Sequence, residues 1–145
     1  MLIETLFPNL AHAGYRVTSS ASLVYNCLAW AAGDDQQWWE PVSGPGYYWP
    51  DGVSRAYTIE ALLSVYQTLG YSLCSDSTLE VGFEKVALYG NSEGYTHAAR
   101  QLNDGKWTSK LGHLEDIIHD SLNALEGAEY GSLLHILKRA AHPVR

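Results

Sequence analysis

The stretch GFEKVALYGNSEGYTHAARQLNDGKWTSKLG, residues 82–112, decides the fold. It holds three runs, FEKVALYG (83–90), YTHAARQL (95–102) and KWTSKLG (106–112). The first two are parted by Gly90–Gly94 and the last two by Asn103-Asp104-Gly105. An Asp-Gly step between such runs is a strong short-range hairpin signal, so the three read as an antiparallel meander. A three-residue loop with Gly105 left-handed sets Leu102 opposite Lys106 and Ala99 opposite Ser109. Ser109 then shares the face of His97. A two-residue Asp-Gly turn would slip the pairing by one and bring Thr108 and Lys110 to that face instead. The first register is the preferred one.

Upstream, Asn26 is a credible N-cap for a helix beginning at Cys27, within about residues 23–33 and ended by Gly33. Residues 41–54 (PVSGPGYYWPDGVS) alternate Pro and Gly and read as loop. In TIEALLSVYQTLG (58–70), Thr58 caps, Ile59, Leu62, Leu63, Tyr66 and Leu69 fall at helical spacing, and Gly70 closes. Tyr71–Cys74 suits a short strand, and residues 1–20 read as irregular. Downstream, Leu114, Ile117, Ile118, Leu122 and Leu125 give one helical face. Leu133, Leu134, Ile136 and Leu137 give another, with Lys138 and Arg139 suiting a helix C-terminus. The expected architecture is a single α+β domain over residues 1–145. Its N-terminal helices pack on a small antiparallel sheet, and two C-terminal helices follow.

Composition narrows the function. At 145 residues one domain is the natural count, and 46% hydrophobic against 17% charged residues describes a folded core. The net charge of −7, with Lys and Arg scattered, excludes the basic stripe of a nucleic-acid binder. No apolar run is long enough to span a membrane. The N-terminus lacks the basic n-region of a signal peptide. Cys27 and Cys74 are far apart and form no CxxC pair, so neither a zinc site nor any other metal or cofactor is expected. The expectation is a cytoplasmic protein with reduced thiols.

YNCLAWA, residues 25–31, raises the chemistry. A free cysteine most often packs as a small hydrophobe. As a nucleophile it needs an imidazole elsewhere in the chain. His12 lies in the irregular start, and His113, His119, His135 and His142 lie on or near the C-terminal segments, with nothing to separate surface from core. His97 differs: it opens the middle strand and is followed by Ala98 and Ala99, which leave room for another element to pack.

Taken together, Asn26-Cys27 at a helix start, His97 at a strand start and Asp104-Gly105 in the following turn resemble the core of the NlpC/P60 papain-like cysteine hydrolases, over about residues 15–112. The segments YNCLAWA, FEKVALY and WTSKLG also look like an uncharacterised bacterial domain family. The NlpC/P60 resemblance implies Cys27 as nucleophile, His97 as general base and acid, Ser109 as the residue orienting His97, and Tyr15 as an aid to the oxyanion. Two positions depart from that pattern: Leu28 follows the cysteine where the family has Ser, and Ser109 stands where it usually has His.

The chemistry such residues perform is general. A helix start and an adjacent imidazolium lower a thiol pKa, and the thiolate attacks an amide carbonyl to leave a thioacyl on Cys27. His97 hands the proton to the leaving amine. Asp116 and Glu115 are stronger acceptors held in reserve for the orienting role. Trp38, Trp39 and Trp49 are candidate walls of a groove for a small-molecule or peptide substrate. Two other readings stay open: a non-catalytic binding or regulatory module of the same fold, and a toxin- or immunity-type protein that docks a partner through its aromatic loop.

Overall fold

In the computed structural model, which describes residues 2–141, every strand of the meander joins one larger sheet. Chain order is α1 (Leu2–Leu6), a 3-10 turn (Pro8–Ala11), β1 (Tyr15–Ser19), α2 (Cys27–Ala31), β2 (Trp38–Trp39), β3 (Tyr47–Tyr48) and α3 (Ile59–Gln67). Then follow β4 (Ser72–Cys74), β5 (Phe83–Asn91), β6 (Gly94–Gln101), β7 (Trp107–Lys110), β8 (Asp116–His119), a second 3-10 turn (Leu122–Leu125) and β9 (Ser132–Ala140). Seven strands make an antiparallel sheet ordered β1-β8-β7-β6-β5-β9-β4, and β2 and β3 form a separate parallel pair.

This overturns the expected α+β arrangement. Both segments read as C-terminal helices are strands: β8 lies between β1 and β7, and β9 between β5 and β4. The apolar positions of short runs such as Ile117-Ile118 and Leu133–Leu137 fit a doubly covered strand as well as a helix. The sheet resolves the ambiguity, because β5 needs a partner on its second edge and β9 supplies it along eight paired positions. Residues 15–19, read as irregular, form the edge strand β1. His142 lies outside the described residues.

Period-two alternation divides the core between two faces of the sheet. On one face α2 and α3 pack on Val86, Leu88, Ala98 and Leu137. On the other, α1 and both 3-10 turns pack on Ala87, Tyr89, Ala99, Trp107 and Ile117. Trp30 fixes α2 to its face: its Nε1 donates to Thr108 Oγ1 at 2.9 Å, and its carbonyl accepts from Arg100 Nε at 3.3 Å. The hairpin takes the preferred register. Leu102 N donates to Lys106 O at 2.7 Å, Gly105 has φ +89°, and Arg100 pairs with Thr108.

Candidate functional site

Asn26 explains why α2 begins where it does. Its Oδ1 accepts from Ala29 N at 3.2 Å and from Trp39 N at 3.2 Å, while its Nδ2 donates to Trp39 O at 2.8 Å. One side chain thus caps the helix and ties it to β2. The cap leaves the N–H groups of Cys27 and Leu28 for another acceptor. Both lie near the Cys27 sulfur, as does the Ala98 N–H of β6. These three donors, with the Lys110 ammonium, favour the thiolate, but burial outweighs them and pushes the thiol up to about 11. Cys27 is therefore a protonated thiol at neutral pH, the reverse of the lowered pKa expected from a helix start. Five residues of helix do not compensate for the lost water.

His97 is fully buried and points from β6 to the opposite face, beside its cross-strand partner Tyr89. Ala98 follows it directly, so the sulfur lies within about one residue's length of the His97 backbone. No hydrogen bond joins the thiol to the imidazole, and Nδ1 of His97 has no partner. The ladder between β6 and β7 stops at Arg100↔Thr108, so the two strands part toward His97. Sulfur and ring therefore lie on opposite faces of the sheet rather than in contact.

The other ring nitrogen of His97 is fully engaged. Nε2 lies 2.9 Å from Ser109 Oγ, Ser109 Oγ lies 2.8 Å from His119 Nε2, and His119 Nδ1 lies 3.0 Å from the Ser121 carbonyl. The partners fix every hydrogen. A carbonyl only accepts, so His119 carries its proton on Nδ1 and its bare Nε2 accepts from the Ser109 hydroxyl. The single hydroxyl hydrogen is then spent, so His97 must donate from Nε2. Burial holds both imidazoles neutral, lowering His119 to about 4 and His97 well below its ordinary value. His97 is thus left with a bare, unpartnered lone pair on Nδ1. A buried polar atom without a partner costs about 1–3 kcal/mol, and such exceptions call for an explanation. Tyr130 stacks on the same ring, centroids 4.1 Å apart at 11°, and screens it from water.

The remaining expected site residues scatter. Ser109 does meet His97, as the register required, but it bridges to His119 rather than ending the chain. Tyr15 lies on β1, with β8 and β7 between it and β6, roughly 14 Å from that strand at the usual spacing, and its hydroxyl donates to Glu4 at 2.5 Å. It has no oxyanion role. Asp116 faces away from His97, accepting from Tyr25 Oη at 2.8 Å and Thr18 Oγ1 at 2.6 Å, so it is no orienting residue. Glu115 precedes β8 in the turn that returns to Leu111. Trp39 and Trp49 are core side chains, with Nε1 bonded to Asp34 Oδ2 and to the Ser54 carbonyl.

Trp38 does line a groove, a cleft of about 480 Å³ shared with Leu23, Val24, Glu40, Tyr47 and His113. Sequence reasoning missed His119, Tyr130 and the Glu40 cleft. Reading 116–119 as a strand paired with 107–110 would have placed His119 on the face of Ser109, two residues on from Ser109's partner Ile117. Nothing local marks Tyr130 or Glu40. Among the described residues no group of three or more His, Cys, Asp or Glu is placed to hold a metal ion, and no helix is long and apolar enough to cross a membrane.

Residues 16–138 match a family described as a domain of unknown function, DUF7689, and the chain belongs to it. No curated protein and no solved structure matches the chain. The resemblance to NlpC/P60 hydrolases is corrected accordingly. The family is a different one, and the architecture is mostly antiparallel sheet with three short helices, not helices packed on a small sheet.

Proposed function

We propose that this DUF7689 domain is a cysteine-dependent hydrolase or transferase acting on an amide- or ester-type carbonyl, with Cys27 as nucleophile and His97 as general base and acid. One observation carries the reading: the directed chain Ser121–His119–Ser109–His97 leaves a bare Nδ1 on the residue adjacent to the one whose N–H meets the thiol. Such a nitrogen is a base without its acid.

In the reaction the Cys27 S–H bond breaks as sulfur bonds the carbonyl carbon, and the proton passes from one face of the sheet to Nδ1 on the other, where β6 and β7 part. His97, now an imidazolium, gives that proton to the leaving amine or alkoxide, and a thioacyl remains on Cys27. Water or an acceptor amine then attacks, losing its proton to Nδ1, and the thiol is restored. Ser109 and His119 hold the His97 tautomer that leaves Nδ1 free. Because both groups rest neutral, proton transfer accompanies attack instead of preceding it. The substrate is a peptide or a small amide. Both cysteines are free, which supports a reducing, cytoplasmic setting.

A second reading has its own support. The sealed, protonated thiol also suits a binding module whose cysteine only packs. The two separate on incubation with p-nitrophenyl acetate followed by peptide mass spectrometry. The proposed function gives an acetyl group on Cys27 that is lost in His97→Ala. Acetylation absent from Cys27, or unchanged by His97→Ala, leaves the binding module.

A further inference from the structure

At the segment that leads into α2 the chain has built a cleft whose chemistry is not that of ordinary packing. Its volume, about 480 Å³, is of the size that takes a small ligand. Its rim is apolar and uncovered, with Leu23 75% and Val24 56% exposed. It is fixed to the start of α2, because Leu23 and Val24 lead into that start and Asn26 fastens it to Trp39, the neighbour of Trp38. Among the described residues that line it, Glu40 is the one carboxylate and none is a lysine or arginine.

Glu40 is oriented but not neutralised. Oε1 accepts from Trp38 Nε1 at 2.9 Å and Oε2 from Tyr57 Oη at 2.5 Å, which leaves a lone pair on each oxygen. Among the described residues no cation pairs with it. Two aromatic rings share the cleft with it. Trp38 is braced by His113, with centroids 4.9 Å apart at 23°, and Tyr47 is 45% exposed. A carboxylate in a cleft with aromatic residues attracts a cation through its charge, and an exposed ring such as Tyr47 offers a face to the same cation. An anion would be repelled, and a neutral group would leave the carboxylate's charge unpaired by any cation. The net charge of −7 favours the same sign of ligand at long range.

We propose that this cleft binds the basic side chain of a peptide, with the ammonium or guanidinium group at Glu40 and Trp38 and its methylene stem along Leu23 and Val24. This rests on the hydrolase reading for its meaning, since it names the class of substrate presented to Cys27, but the binding itself needs no chemistry.

The test therefore uses the Cys27→Ala protein, titrated with N-acetyl-lysine amide, its norleucine analogue and N-acetyl-glutamate amide, read by tryptophan fluorescence and amide NMR shifts. The lysine derivative should bind at least about tenfold more tightly than norleucine, weaken with added salt, and lose at least about tenfold in Glu40→Gln, while the glutamate derivative fails to bind. Equal affinity for lysine and norleucine, or binding by none of the three, overturns the proposal. The lysine–norleucine comparison requires no change at Glu40, so it stands even if Glu40→Gln does not fold. Failure here would leave acetylation of Cys27 untouched, and failure of acetylation would leave this binding untouched.

Discussion

Acidification is the perturbation the buried imidazoles make most informative. His119 is neutral in the fold with its pKa lowered to about 4, against about 6.5 in the unfolded chain. Its folded pKa lies below its unfolded one, so the unfolded state binds the extra proton. The contribution of His119 is complete above pH ~6.5 and is lost as pH falls toward 4. Between pH ~7 and pH ~4.5 that loss comes to about 2 kcal/mol for His119, with a further loss of the same sign from His97. Against a domain stability of about 5–15 kcal/mol this is large. Urea unfolding followed by tryptophan fluorescence across that range reads it directly. Asp76, lowered by Thr78 and Lys85, and Glu80, lowered by Lys138, begin to lose their contributions with the same sign at the acid end of the window, so the comparison with a histidine variant isolates the imidazole share. The variant His119→Gln keeps a polar side chain but not the titration, so its share of the slope should vanish. A wild-type stability flat within about 0.5 kcal/mol from pH ~7 to ~4.5, or a slope unchanged in His119→Gln, would refute the neutral chain of histidines.

Three further outcomes follow from the same contacts. Ser109→Ala strands one nitrogen on each of His97 and His119, and should cost about 2 kcal/mol or more in denaturant midpoint, where an exposed serine would cost almost nothing. Asn26→Ala removes a helix cap and both of its bonds to Trp39, so a loss of about 2–3 kcal/mol is expected, with near-ultraviolet circular dichroism reporting the loosened Trp39. Iodoacetamide at neutral pH should modify half-buried Cys74 well before the sealed, protonated Cys27, as peptide mass spectrometry would show. Faster modification of Cys27 would contradict its burial.

Much of this molecule was legible where local chemistry is decisive. Asn26 and Thr58 cap the helices that follow them, since a side-chain oxygen at such a position satisfies a nearby N–H whatever the tertiary fold. The NDG loop set the hairpin register, and through it the meeting of His97 with Ser109. The Cys27–His97 pairing was legible only in part. Chain order brought the sulfur to Ala98, but pleating alternates sides, so one residue decides whether a neighbour's side chain shares its face, and His97 is on the far one. Residues 114–139 misled because apolar Ile117, Ile118, Leu133, Leu134, Ile136 and Leu137 point to both faces of a sheet, Leu134 to solvent as well as Leu137 to the core. Such runs lose the alternation that marks a strand. His119, the end of the histidine chain, was hidden by that error.

The rate of Cys27 acetylation by p-nitrophenyl acetate as a function of pH is the most direct measurement of the account. If the bare Nδ1 of His97 takes the thiol proton, the rate is level between pH ~6.5 and ~8.5, because His97 is already neutral throughout. His97→Ala should then be slower and should climb roughly tenfold per pH unit, following the thiolate fraction of a thiol near 11. A wild-type rate that climbs in the same way, at the same speed as His97→Ala, would show that the imidazole never serves Cys27.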